Sequence, residues 1–154
     1  MQVTFERADV DDAPALVAVQ IAAFHYDTVL YPDVELGGPP GYDSADAMRQ
    51  KIQDDVCYSI VHAGEIIGGI VIVDQGAEQM HLDLIFIDPA YHSRGIGTRA
   101  LAFIEQAHPA RLWTLDTPTW ALRNQHFYEK LGYVRVGEHA LPDITLIAYE
   151  KRLG

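Results

Sequence analysis

The sequence predicts an α/β (α+β) domain: a mixed, mostly antiparallel sheet flanked by helices, in the order βααβββαβαββ. Three observations carry this reading. Alternating apolar runs of strand length recur along the chain, among them VTFERA and MHLDLIFID. Segments with helical spacing and capping residues lie between them, such as SADAMRQKIQDDV and GTRALAFIEQAHP. Three strand-like runs also follow one another directly in CYSIVHAGEIIGGIVIVDQGAEQMHLDLIFID. Their short separations at Ala63-Gly64-Glu65 and near Gln75-Gly76 require an antiparallel meander.

The elements follow in order. VTFERA is the first strand. DVDDAPALVAVQIAAFHYD is a helix capped by Asp11 or Asp12, with Pro14 tolerated in its first turn and Leu16, Val19, Ile21 and Phe24 on its apolar side. A loop of roughly 15 residues follows, long enough to act as a lid or to be a plain surface excursion. It holds Pro32, Pro39, Pro40, Gly37, Gly38 and Gly41. Ser44 caps the second helix, and the meander comes next. GTRALAFIEQAHP is a helix with Leu101, Ile104 and Glu105 at helical spacing, RLWTLDT is a strand, and PTWALRNQHFYEKLG is a helix opening at Thr117-Pro118 and closing at Gly132. YVRVGEHA and DITLIAYEKRL form a final strand pair. No repeat, low-complexity tract or linker interrupts the 154 residues, so residues 1–154 read as one domain with a sizeable core.

Composition narrows the function. The net charge of −11 argues against nucleic acid, whose phosphates need a basic face. It suits a cationic small substrate or partner, or simply solubility. The one cysteine, Cys57, excludes an intrachain disulfide and points to a reducing, cytoplasmic setting. No apolar run approaches a membrane span and the first residues do not resemble a signal peptide, so no membrane partner is expected. The seven histidines are scattered without ligand spacing, so no metal is expected.

The segment IFIDPAYHSRGIGTRAL places Gly95 and Gly97 between a strand and a helix. A helix start offers unpaired N–H groups and the positive end of its dipole, and glycine lets a phosphate approach closely. A simple turn needs one glycine only. A dinucleotide fingerprint needs a βαβ setting that an antiparallel meander does not provide, and a nucleotide P-loop needs Gly-Lys-Ser/Thr.

This segment, together with NQHFYEKLGY further on, resembles the GNAT superfamily of acetyl-CoA-dependent N-acetyltransferases, and the resemblance covers nearly the whole chain. It implies acetyl-CoA as co-substrate and a primary amine, small-molecule or protein, as acceptor. It also implies that Ser93, Arg94, Gly95, Ile96, Gly97 and Thr98 hold the coenzyme's pyrophosphate. The main chain of Ile85, Phe86 and Ile87 would pair with the pantetheine arm like an added strand. Tyr128 is the implied proton donor to the leaving sulfur. Two positions depart from the family pattern: His92 stands where Gln or Arg commonly opens the loop, and Ala121 where an Asn often contacts the coenzyme. Asn124 lies one helical turn before Tyr128 and is the candidate replacement. Dimers are common in the family, and the last strands offer an edge for one.

For the general base, alternation through MHLDLIFID puts His81, Asp83, Ile85 and Ile87 on one strand face and Leu82, Leu84 and Phe86 on the other. His81 is the first candidate and Asp83 the second, the latter also as a cation binder. Phe24, Tyr26, Tyr31 and Trp120 are candidates for the acceptor pocket through their aromatic faces, beside the reading of each as ordinary packing. The alternative function is a noncatalytic acyl-CoA sensor or interaction module that keeps the loop without turnover.

Overall fold

In the computed structural model, which describes residues 1–153, the strands are β1 (Thr4–Arg7), β2 (Val56–His62), β3 (Glu65–Gly76), β4 (Gln79–Ile87), β5 (Leu112–Pro118), β6 (Val134–Ala140) and β7 (Thr145–Arg152). The helices are α1 (Ala13–His25), α2 (Asp27–Leu30), α3 (Ala45–Asp54), α4 (Ile96–Ala107) and α5 (Leu122–Lys130). The seven strands make one sheet in the order β1-β2-β3-β4-β5-β7-β6. All neighbours are antiparallel except β4 and β5. The predicted mixed, mostly antiparallel α/β architecture is the observed one.

Helices cover both faces. On one face, Ile96, Ala100, Leu101 and Ile104 of α4 and Tyr128 of α5 pack with Met80, Leu82, Trp113 and Leu115 of the sheet. On the other, Ala13, Leu16 and Val17 of α1 and Met48 of α3 pack with Phe86. Turn chemistry explains the meander: Ala63 and Gly64, and likewise Ala77 and Glu78, have positive φ, as tight hairpin turns demand. The second turn thus falls just beyond the expected Gln75-Gly76, both of which belong to β3.

Three local expectations are corrected. Asp12 stands at the N-cap of α1 as expected but makes no side-chain cap there; the capping hydrogen bonds are those of Asp9, in a capping box with Asp12 ahead of a 3-10 turn (Val10–Asp12). The buried side of α1 is Ala13, Leu16, Val17 and Gln20, while Val19, Ile21 and Phe24 are only partly buried against it. Thr117 and Pro118 finish β5 instead of opening α5, which begins at Leu122. The run Val10–Leu30 also reaches the length and apolar composition of a membrane-crossing helix, with a mean hydropathy of 1.3. It is divided into the 3-10 turn, α1 and α2, and α1 lays its buried side on the sheet.

The largest correction concerns β4. Opposite β3, Val71 faces Leu84 and Ile72 faces Leu82, leaving Asp83 as the extra residue of a β-bulge. A bulge shifts side-chain phase by one. Met80 and Leu82 therefore join the α4 side, and so do Ile85 and Ile87 beyond the bulge, while Leu84 and Phe86 join the α1 side. The expected single face of His81, Asp83, Ile85 and Ile87 does not exist.

Close approach of β3 to β4 depends on Gly68. A Cβ there would lie 2.5 Å from the Phe86 carbonyl oxygen and 3.0 Å from the Ile60 Cδ1. A backbone oxygen cannot yield without disturbing the pairing. Gly68→Ala is expected to lose about 1–3 kcal/mol of stability, read from the urea midpoint at constant m-value.

Candidate active site

The site begins where β4 and β5 separate. Their parallel pairing covers Gln79–Leu82 against Leu112–Leu115 and stops there, next to the Asp83 bulge. Beyond it β5 pairs with β7 alone. The edge of β4 from Ile85 onward faces a gap. The Asp88 N–H bonds the Ile67 carbonyl at 2.8 Å, which sets the phase of that edge. By alternation Phe86 turns its main chain toward β3, and Ile85 and Ile87 turn theirs into the gap.

A cavity of about 360 Å³ fills the gap. Its floor is Ile85, Phe86 and Ile87, one wall is the loop from Tyr91 to Thr98, and the other walls are Phe24, Asp27 and Leu30 and, from α5, Arg123, Asn124, Phe127 and Tyr128. The loop is shaped by two left-handed residues, Ser93 (φ 61°) and Gly95 (φ 75°), the second directly before α4. The Arg99 N–H bonds the Gly95 carbonyl at 3.2 Å. The amides of Ile96, Gly97 and Thr98 precede that bond and lie among the helix's unpaired donors, so the loop can hold an anion. A Cβ on Gly97 would meet the Phe127 ring at 3.0 Å, so this glycine also lets α4 and α5 approach. Arg94 lies over the Tyr91 ring, 5.6 Å from its centroid.

His92 is built into the site. Its Nε2–H donates to the Ile87 carbonyl at 3.0 Å, its ring meets Tyr26 edge-on at 5.4 Å, and its Nδ1 is buried without a partner. One of the gap-facing main-chain acceptors is thereby already occupied. Tyr128 is 7% exposed, and burial raises its pKa well above the ordinary tyrosine range, so its hydroxyl keeps its proton. Behind it stand Tyr133 and Tyr149, at ring-centroid distances of 5.9 and 6.3 Å. The Tyr149 hydroxyl donates to Glu129 at 2.7 Å; burial and that carboxylate push its pKa up to about 12. Asn124 faces the cavity and donates from Nδ2 to the Thr117 Oγ1 at 3.3 Å, which ties α5 to the end of β5.

A second cavity of about 200 Å³ lies on the α1 and α3 side, between Gln20, the Pro39–Tyr42 turn, Met48, Lys51, Asp83 and Leu84. Lys51 Nζ holds the Asp83 carboxylate at 2.9 Å. Gln20 is 2% exposed, and its Oε1 has no partner. Tyr42 shares a hydrogen bond of 2.7 Å with His25 Nε2. The two cavities share a wall: Phe24 lines the first, Tyr42 the second, and their rings meet edge-on at 6.2 Å.

The expected residues are therefore distributed unevenly. The glycine loop, Ile85–Ile87, Asn124 and Tyr128 share the first cavity. Asp83 lines the second, and His81 lines neither; its Nδ1 is bonded to Thr114 Oγ1 at 2.7 Å. Of the aromatic candidates, Phe24 stands between the cavities and Tyr26 packs on His92. Tyr31 and Trp120 pair edge-on at 5.4 Å, with the Tyr31 hydroxyl accepting from the Arg123 N–H at 3.0 Å. Sequence reasoning missed Asp27, Arg123, Gln20 and Lys51. Only Asp27 carried a signal, as a lone acid inside the apolar run AAFHYDTVLY. Cys57 is buried, which pushes its thiol up to about 12, far from a reactive thiolate. Among the described residues no group of three His, Cys, Asp or Glu side chains is placed to hold a metal.

Residues 24–133 match the acetyltransferase (GNAT) family. Uncharacterized protein YrkN of Bacillus subtilis strain 168 is 38% identical over 81 residues, covering 51% of this chain and 44% of that protein, so the chain aligns with less than half of that relative. S-(2-succino)cysteine N-acetyltransferase of the same organism is 27% identical over 121 residues, covering 70% of this chain and 72% of that protein. Among solved structures, the PaiA N-acetyltransferase of Thermoplasma acidophilum in complex with coenzyme A has a TM-score of 0.81 at 15% identity, covering 99% of this chain and 100% of that one. An acetyltransferase of Thermus thermophilus has a TM-score of 0.79 at 18% identity, covering 99% of this chain and 98% of that one. At these identities the structural likeness is one of fold.

Proposed function

Since the chain belongs to the acetyltransferase (GNAT) family, and is an acyltransferase, we propose that it moves an acetyl group from acetyl-CoA directly to a primary amine. The observation that carries this reading is one cavity in which the strand gap, the left-handed glycine loop and a proton-bearing tyrosine meet. The loop amides from Ser93 to Thr98 hold the pyrophosphate. The gap-facing main chain of Ile85 and the Ile87 N–H pair with the pantetheine amides, as a strand would, while the Ile87 carbonyl stays with His92. Asn124 adds a side-chain contact beside them.

The amine comes from the other side of the Phe24–Tyr42 wall. The second cavity offers an apolar lining from Met48 and Leu84, with Asp83 and Gln20 as hydrogen-bond acceptors for polar groups of the acceptor other than its reacting nitrogen. The B. subtilis relative is named for acetylating the amine of a modified cysteine, which fits an amino-bearing metabolite as acceptor here. Attack of the neutral amine on the thioester carbonyl forms the C–N bond and breaks the C–S bond, and Tyr128 protonates the departing sulfur. Cys57 has no part, because it is buried as a neutral thiol.

Thiol release from acetyl-CoA across a panel of primary amines tests the reading. Amine-dependent release is expected; tight coenzyme binding without release on any amine would assign an acyl-CoA sensor instead. Asp83→Asn is expected to raise the acceptor KM by about 10- to 100-fold, the worth of a hydrogen bond to a charged group, and to leave the acetyl-CoA KM unchanged. Equal shifts in both would remove Asp83 from the acceptor subsite.

A further inference from the structure

The transfer proposed above needs a group that takes a proton from the acceptor, because a primary alkylamine near neutral pH is an ammonium ion and cannot attack. Three side chains compete for this role. His81 lines neither cavity and is bonded to Thr114. Asp83 lines the second cavity, which Tyr128 does not, and its carboxylate is already engaged by Lys51 at 2.9 Å. Asp27 is different. It lines the coenzyme cavity together with Tyr128, and no described residue donates a hydrogen bond or ion pair to its carboxylate.

Resting on that acetyltransferase reading, the geometry points to Asp27 as the group that deprotonates the acceptor ammonium in the coenzyme cavity. Its position is fixed by backbone. The Tyr31 N–H bonds the Asp27 carbonyl at 2.8 Å, and Thr28 Oγ1 donates to the His25 carbonyl at 2.9 Å, so the short α2 turn is pinned to the end of α1. An unpaired acid is of no use to the coenzyme, whose phosphates it repels. It is of use to a cation arriving beside the thioester. Burial without a partner pushes the Asp27 carboxyl up to about 6, so it is ionised at neutral pH yet is a stronger base than an ordinary carboxylate.

The proton balance closes with Tyr128. The ammonium gives one proton to the Asp27 carboxylate, which later loses it to solvent. The neutral nitrogen attacks the carbonyl carbon, the C–S bond breaks, and the sulfur takes the Tyr128 phenolic proton. The phenolate then recovers a proton from the nitrogen as it becomes the amide.

The test is the pH dependence of kcat/KM for the acceptor. For the unaltered enzyme, activity is expected to fall below about pH 6, where the Asp27 carboxylate becomes protonated. Asp27→Asn is expected to lose about 10²- to 10⁴-fold at neutral pH. Its rate should then climb steadily toward the pKa of the free amine, because it depends on neutral amine from solution. Its acetyl-CoA affinity should be unchanged or higher. The other charged or titrating groups facing this cavity are Tyr91, His92 and Arg94 of the loop and Arg123 and Tyr128 of α5, with Tyr26 and Tyr31 flanking Asp27 itself. His92 is the one imidazole among them, so His92→Gln is run in parallel and is expected to keep the acidic limb. An unshifted profile in Asp27→Asn, or a limb lost with His92 instead, overturns the assignment of Asp27 alone. No turnover by the unaltered protein on any amine overturns the acetyltransferase reading and this inference with it.

Discussion

Tyr128→Phe is expected to lower kcat by about 10²–10⁴-fold, the usual worth of a positioned general acid, with the acetyl-CoA dissociation constant nearly unchanged. The substitution removes one oxygen and keeps the ring, so the packing against Phe127, Tyr133 and Tyr149 survives. The fold should therefore be preserved, and the loss should fall on the chemical step. Burial raises the Tyr128 pKa, so the phenol is fully protonated at every pH at which the enzyme works, and its own titration should not appear in the pH profile. Single-turnover kinetics separate the step from product release. An unchanged chemical rate would leave Tyr128 as packing alone.

Trp113→Ala is expected to cost about 3–5 kcal/mol of stability, as for large aromatic truncations in a core. Trp113 is fully buried and sits opposite Met80 of β4 and Lys151 of β7. It therefore anchors the short parallel pairing just below the point where β4 and β5 part. A loss of this size is a large share of the stability of an ordinary domain. Denaturant unfolding measures it, and acetyl-CoA binding should weaken in parallel at temperatures where the variant is partly unfolded. A cost under about 1 kcal/mol, far below the usual range, would mean that the strand pair is held by other contacts.

The parts of this molecule that were legible in the sequence are those specified by neighbouring residues. Helix caps such as Ser44, the hairpin glycine Gly64 and the strand-loop-helix passage through Gly95 and Gly97 each act within a few positions, so their chemistry reads directly. The order of strands and helices follows from them. The bulge at Asp83 was not legible, because alternation assumes an unbroken strand, and an extra residue shows itself only against the partner β3. That one residue separated His81 from Ile85 and Ile87 and changed which acid faces which cavity.

The second cavity was hidden for a related reason. Gln20, Tyr42, Lys51 and Asp83 come from α1, the proline-glycine turn, α3 and β4, and only packing assembles them. Asp27 closes the stretch that the sequence predicts as the first helix and in fact opens α2, and its importance lies in the lack of a partner, which no local pattern reports. His92 shows the reverse. It departs from the family pattern at the opening of the loop, yet its ring bonds the Ile87 carbonyl and forms part of the first cavity's wall.

We propose direct transfer of an acetyl group from a thioester in the β4–β5 gap to an amine. Mass spectrometry of the reaction mixture tests it most directly, with N-acetylated amine counted against free thiol over the time course. Equal amounts of the two products are expected, with no acetyl group on the protein at any time. Thiol release without acetylated amine, or a stable acetyl-protein species that precedes the product, would contradict it.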